Sequence, residues 1–191
     1  MLFRSGYSLC IVCTGSHEEL SGEYAAIPEE MKAVARACGV EVMADCDRGA
    51  FIERLPELRE RCGDRAVMRA LHFLNENERV SRQRGALKDG NTGEFFELVR
   101  ASGRSSYMYL QNVLLPGDSR IQPLGLALAV SEDYLGERGA CRVHGGGFAG
   151  TILSFVPGDM ADGYRALMDG IYGGGACVSL NIRADGACRI I

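Results

Sequence analysis

Ala140-Cys-Arg-Val-His144-Gly-Gly-Gly-Phe-Ala-Gly150-Thr-Ile-Leu-Ser-Phe-Val156-Pro-Gly158 reads as two strands joined by a glycine turn. Ala140–His144 is short, apolar and branched, and Gly145–Gly147 breaks it. Phe148–Val156 is the second strand, and Pro157-Gly158 stops it. A two-residue hairpin needs one or two glycines. Four glycines within 145–150 exceed that need, which suggests that another group approaches the backbone closely; the alternative is a plain turn needing positive φ.

Downstream, Met160, Tyr164, Leu167, Met168 and Ile171 mark an amphipathic helix, with Asp159 as its candidate cap and Gly173–Gly175 as its end. Val178, Leu180 and Ile182 alternate with Ser179, Asn181 and Arg183, the pattern of a half-buried strand, and Cys188–Ile191 extends or pairs with it. Upstream, Tyr7–Cys13 reads as a buried strand, followed by a turn at Thr14–His17. Ile27, Met31, Val34, Ala35 and Cys38 then fall on one helix face. Pro28 suits that helix's first turn, Glu29 and Glu30 its positive N-terminus, and Gly39 its stop.

The region of about 48–137 reads as helical throughout. Phe51, Ile52, Leu55 and Leu58 mark a short helix. Ala66, Ala70, Phe73, Val80 and Leu87 mark a long one that stops at Asp89-Gly90-Asn91. Phe95 to Ser102 begins a third, and Pro123 opens a fourth. With this block set aside, the order is strand, helix, strand, strand, helix, strand. The expected fold is an α+β ferredoxin-like βαβ–βαβ sandwich, one domain over 1–191 with a helical insertion at about 48–137.

Composition excludes several classes. The chain has 191 residues with 25 Gly, 5 Pro and no Trp. At 47% hydrophobic and 24% charged it can bury a core, which excludes disorder, and its clustered glycines exclude collagen. A net charge of -4 argues against a nucleic-acid partner. No apolar run approaches the ~20 residues of a membrane span, and Leu9–Cys13 is a poor signal sequence, so a cytoplasmic protein without membrane contact is expected. The 8 cysteines read mainly as small buried thiols. Cys10-x-x-Cys13 lies in a strand, where positions three apart face opposite sides and cannot share a metal.

Gly145-x-Gly147-x-x-Gly150 matches a dinucleotide fingerprint, yet a strand follows where the pyrophosphate needs a helix N-terminus. His-Gly-Gly-Gly also matches an esterase oxyanion loop, but no Gly-x-Ser-x-Gly elbow accompanies it. No Walker loop is present.

Arg142-Val-His-Gly-Gly-Gly-Phe-Ala-Gly-Thr151 resembles the third motif of the GHMP small-molecule kinases in its galactokinase form. Ile11 to His17, continuing through Ser21-Gly-Glu-Tyr24, is similar to the galactokinase strand that leads into a Ser-Glu-Tyr helix start. Arg69-Ala-Leu-His72-Phe-Leu-Asn75-Glu-Asn77-Glu-Arg79-Val80 resembles a helix of the same family. The matches keep the family's order and cover its C-terminal half only. The family's Gly-Glu-His-x-Asp segment, its Gly-Leu-Ser-Ser-Ser-Ala phosphate loop and the catalytic Asp that follows in the same N-terminal half have no match in these residues.

The resemblance implies a sugar kinase that uses ATP and Mg²⁺ when complete, with galactose or a related sugar as substrate. It implies that this chain alone is inactive, holds no catalytic residue or metal site, and binds neither cofactor tightly. Its implied partners are a sugar-kinase N-terminal half, or a second copy through the exposed inter-domain face, together with the sugar. Tyr24, Gly146 and Gly147 are the implied substrate-binding residues, and His144, Gly145, Gly146, Gly147, Phe148, Ala149 and Gly150 form the third-motif loop. Tyr24 also reads as an aromatic packing on the sheet, and His144 as a structural hydrogen-bonder rather than a catalyst. Arg104-Ser105-Ser106-Tyr107 departs from the family's Arg-Asp-Asp-Tyr/Phe-like run, while His72, Asn75 and Asn77 read as helix contacts. The rival reading is a non-catalytic small-molecule-binding or assembly module of the same fold.

Overall fold

The computed structural model describes residues 6–15, 20–117, 119–148 and 150–180. Among them, strands β1 (Tyr7–Cys13), β2 (Ala140–His144), β3 (Thr151–Pro157) and β4 (Cys177–Leu180) form one sheet in the order β2-β3-β1-β4. Every neighbouring pair is antiparallel, with Cys10 opposite both Ser154 and Ser179, and Arg142 opposite Leu153.

Helices α1 (Ser21–Cys38), α2 (Arg48–Glu53), α3 (Leu55–Cys62), α4 (Asp64–Lys88), α5 (Thr92–Ser105) and α6 (Pro123–Leu135) lie between β1 and β2, and α7 (Ala161–Tyr172) lies between β3 and β4. The predicted long helix and the helix opened by Pro123 are α4 and α6. The short helix is two, α2 and α3, and the block is not helical throughout: a π-helical turn (Ser106–Leu110) leads into irregular chain before Pro123.

Strand alternation sends successive side chains to opposite faces. One face carries Cys10, Val12, Val143, Ile152 and Cys177 into a core with Leu124 and Ala127 of α6 and Tyr164 and Met168 of α7. The Tyr164 hydroxyl would be costly here without partners. It bonds Ser131 Oγ at 2.8 Å and Ser154 Oγ at 2.7 Å. The other face packs Leu9, Ala140 and Phe155 against Phe95, Phe96 and Val99 of α5. A separate cluster joins α1 to α4 through Val34, Phe51, Leu58 and Ala70.

Several expectations need correction. Helix α1 starts at Ser21, so Pro28 lies inside it rather than in its first turn. The opening residues are largely exposed and carry no apolar signal, which is why the pattern starts only at Ile27. Glu30 does not serve the helix terminus but bonds Arg65 and Arg69 of α4. Strand β3 begins at Thr151 and not at Phe148, because Gly147 (φ 81°), Phe148 (φ 53°) and Gly150 (φ 112°) are left-handed and cannot extend a strand.

Asp159 caps nothing; it lies in a 3-10 turn (Gly158–Met160) and pairs with Arg138 at 2.8 Å. In β4 it is Cys177 that is buried, while Val178 and Leu180 are exposed. Helix α7 covers the Cys177 side, and α5 reaches only the part of the other face nearest β2 and β3. Ser16, His17, Asn181, Ile182, Arg183 and the expected pairing of Cys188–Ile191 lie outside the described residues.

Cys10 is buried and Cys13 exposed, as opposite faces require. Cys38, Cys46 and Cys62 are half-buried, so the reading of buried thiols holds for Cys10, Cys141 and Cys177 among the described residues. No helix among the described residues is long and apolar enough to cross a membrane.

Candidate functional site

The glycine turn joins the ends of β2 and β3, and three elements distant in sequence hold it. At the exit of β1, the Thr14 backbone N–H and Oγ1 both donate to the Gly150 carbonyl, at 2.7 and 3.1 Å. From the first turns of α1, the Tyr24 hydroxyl donates to the Gly147 carbonyl at 2.9 Å. The Tyr24 ring meets Phe148 edge-on at 5.5 Å between centroids. From the irregular chain after the π-helical turn, Asn112 Nδ2 donates to the Gly146 carbonyl at 3.0 Å. The Asn112 carbonyl accepts from the Phe148 N–H.

These contacts explain the glycines one by one. A Cβ on Gly146 would lie 2.6 Å from Tyr24 Cε1, so the ring rests directly on the backbone. A Cβ on Gly147 would overlap the Asn112 carbonyl oxygen, and Gly147 also sits at φ 81°. Gly145 has positive φ but open space around it. Close approach by a neighbour, expected from the surplus of glycines, thus holds at Gly146 and Gly147. Phe148 is a non-glycine residue at positive φ and is buried. Ala149 lies outside the described residues.

Tyr24 is half-exposed, and its packing is on the glycine turn rather than on the sheet. Its hydrogen is committed to Gly147, so the oxygen remains able to accept. His144 is exposed, with Nδ1 at 3.2 Å from Thr151 Oγ1 across the strand pair, the geometry of a structural hydrogen-bonder. Beside the turn lies a cavity of about 600 Å³, bordered by Phe148, Glu23, Gln111, Tyr107, Arg65 and Arg69. Arg69 is 1% exposed and does not stand as a free charge there: Glu30 takes its Nη1 at 2.9 Å and the Leu110 carbonyl its Nε at 3.1 Å.

A second polar group ties α4 and α5 to β2. His72 is buried with Nδ1 2.9 Å from Ser105 Oγ. Its pKa is lowered to about 4, first by burial and then by Arg79 and Arg142. Ser102 Oγ donates to Glu76 Oε2 at 2.7 Å, and Arg142 approaches the same carboxylate at 3.8 Å. Asn75 accepts from Arg48 at 2.8 Å. His72 and Asn75 therefore make packing contacts, and among the described residues no group of three His, Cys, Asp or Glu could hold a metal ion. Ser105 and Ser106 are buried, whereas Arg104 and Tyr107 are exposed.

Of the residues singled out in the sequence, Tyr24, Gly146, Gly147 and Phe148 meet at one point. Asn112 and Thr14 belong with them; Thr14 was read only as the start of a turn and as part of a family match, and Asn112 carried no signal. Asn112 lies 35 residues before Gly147 in an irregular segment without periodicity, and only the chain's path brings it there.

No family model matches the chain. It is similar to the galactokinase of Actinobacillus pleuropneumoniae, with 29% identity over 164 residues, which is 85% of this chain and 41% of that protein. Against the galactokinase of Haemophilus influenzae the identity is 26% over 155 residues, 80% of this chain and 38% of that protein. The fold matches the crystal structure of Lactococcus lactis galactokinase complexed with galactose at a TM-score of 0.68 and 21% identity, covering 87% of this chain and 42% of that one. The chain thus spans about two fifths of the length of the curated relatives it matches. Motif, sequence and fold agree: the chain resembles a galactokinase, of the GHMP small-molecule kinases, in its C-terminal half.

Proposed function

We propose that this chain supplies the C-terminal part of a galactokinase-like sugar kinase. The observation that carries the reading is the pinned glycine turn facing Tyr24, in a fold similar to that of galactokinase. The Tyr24 oxygen can accept from a sugar hydroxyl beside the turn, while the space that side chains at Gly146 and Gly147 would need is taken by the Tyr24 ring and by Asn112. Tyr24, Gly146 and Gly147 are then the sugar contacts, and His144–Gly150 is the loop that frames them. The domain is a single ferredoxin-like sandwich over 1–191 with its helical block at about 48–137. The sheet order, its antiparallel pairs and α7 between β3 and β4 support that topology.

In the complete enzyme, ATP supplies the phosphoryl group and Mg²⁺ the balancing charge. The residues here do not suit either group. The glycine turn runs into β3 rather than a helix N-terminus, and the described residues offer no cluster of metal donors. This chain alone therefore positions sugar but does not transfer phosphate. It pairs with an N-terminal half or with a second copy; exposed Tyr107, Met108 and Leu114 beside the site support such a contact.

A coupled assay for ADP release with galactose, ATP and Mg²⁺ tests the reading, together with galactose calorimetry. Saturable galactose binding without turnover is expected. Turnover by the purified chain, lost in Gly147→Ala, refutes the inactivity. Absence of galactose binding refutes the sugar site.

A further inference from the structure

Asn112 is 2% exposed and reaches the glycine turn twice, through Nδ2 to the Gly146 carbonyl and through its own carbonyl to the Phe148 N–H. Gly147 lies in van der Waals contact with both its backbone and its side chain, leaving no room for a methyl group. Its Oδ1 is buried and has no hydrogen-bond partner among the described residues. The amide is therefore oriented by a single bond, the one to Gly146. Flipping it would place oxygen against oxygen there and lose that bond.

Backbone strain converges on the same place. Among the described residues, Gln111 (φ 57°) and Phe148 (φ 53°) are the non-glycine residues with positive φ. One directly precedes Asn112, and the other is bonded to it. Both border the cavity next to Tyr24. Left-handed backbone at a side-chain-bearing residue persists only where the surroundings enforce it. Here the Gln111 N–H is held by the Ser106 carbonyl at 2.8 Å, closing the π-helical turn, and Asn112 then locks the glycine turn onto that closed end.

We propose that Asn112 is a positioning residue for the sugar site: it sets the height of Gly146–Phe148 against the Tyr24 hydroxyl, so that the helical block and the glycine turn move as one body. The sugar-site part rests on the reading above; the mechanical part does not. A side chain kept for stability alone would serve poorly with a buried oxygen left unpaired. Removing it deletes a bond and an unsatisfied atom together, and these effects oppose each other in the folding free energy. The position of the turn has no such compensation.

The test uses the full chain with Asn112→Ala and Asn112→Asp. The second variant keeps the shape but loses the donor and sets a carboxylate against the Gly146 carbonyl. Two readouts are taken: amide hydrogen exchange at Phe148 compared with Ile152 and Ser154 of β3, and galactose affinity by calorimetry. In both variants Phe148 exchange is expected to rise about tenfold, on the scale of one lost hydrogen bond, with the β3 amides within about twofold. Galactose affinity is expected to fall by about the same factor. The proposal is overturned if Asn112→Asp keeps the Phe148 protection, if turn and strand amides accelerate together, or if neither variant folds. If wild-type chain takes no galactose, the sugar reading fails, and the exchange comparison still decides the mechanical role of Asn112.

Discussion

Placing alanine in turn at Gly145, Gly146 and Gly147 should produce a graded loss of stability that local sequence cannot anticipate. Gly145 has φ 71° and nothing within 4 Å of its would-be Cβ, so Gly145→Ala costs only the left-handed conformation, about 1–2 kcal/mol. At Gly146 a Cβ would lie 2.6 Å from the Tyr24 ring, which can swing away. The cost is then the Tyr24 hydroxyl bond to Gly147, about 1 kcal/mol. Gly147→Ala pays the same left-handed term and also drives Cβ into the Asn112 backbone carbonyl, which cannot swing. The turn must lift off, breaking the Phe148 N–H and Asn112 Nδ2 bonds at about 1 kcal/mol each. The sum is about 3–4 kcal/mol, a large share of the roughly 5–15 kcal/mol that holds a typical domain folded. Urea unfolding at fixed pH and temperature measures all three. If Gly147→Ala loses no more than Gly145→Ala, the reasoning from close packing at Asn112 is wrong.

His72 makes stability pH-dependent in one window. Its folded pKa of about 4 lies below the ordinary 6.5, because burial and then Arg79 and Arg142 oppose the imidazolium. The unfolded chain therefore takes up a proton first, and stability that is full above pH 6.5 declines as pH falls toward 4. By pH ~5 the loss is about 2 kcal/mol, and His72→Asn should remove that part of the difference between urea midpoints at neutral and mildly acid pH. An unchanged pH dependence in the variant contradicts the assignment. The Arg65–Glu30–Arg69 group offers a separate contrast. Arg69→Met removes a 1% exposed guanidinium and strips both Glu30 and the Leu110 carbonyl of a partner, at roughly 2–4 kcal/mol. Arg65→Met, at a 49% exposed site, should cost under about 1 kcal/mol by the same unfolding measurement. Equal costs would mean that burial does not set the strength of these pairs.

Much of this molecule was legible in its residues because the signal was local. Strand β1 and strand β2 stand where branched and apolar runs placed them. The long helix ends one residue before its predicted stop, and Gly39 ends α1 as expected. The glycine cluster indicated that something comes close to the backbone, since a turn alone needs fewer glycines. What comes close, however, could not be read. Tyr24 and Thr14 reach the turn from 123 and 136 residues away, and Asn112 from an aperiodic segment, and neither leaves a periodic trace. The apolar stripe of α1 starts only at Ile27, because its exposed opening residues carry none; its start at Ser21 was marked only by the resemblance of Ser21–Tyr24 to a family helix start. The buried side of β4 was misjudged because alternation identifies two faces without saying which one a helix will cover. Sequence alone thus determined the elements, their order and the family that the glycine motif resembles. Only tertiary packing decided which neighbours pin that motif, because contacts between distant segments depend on how the sheet and helices are assembled and not on any local repeat.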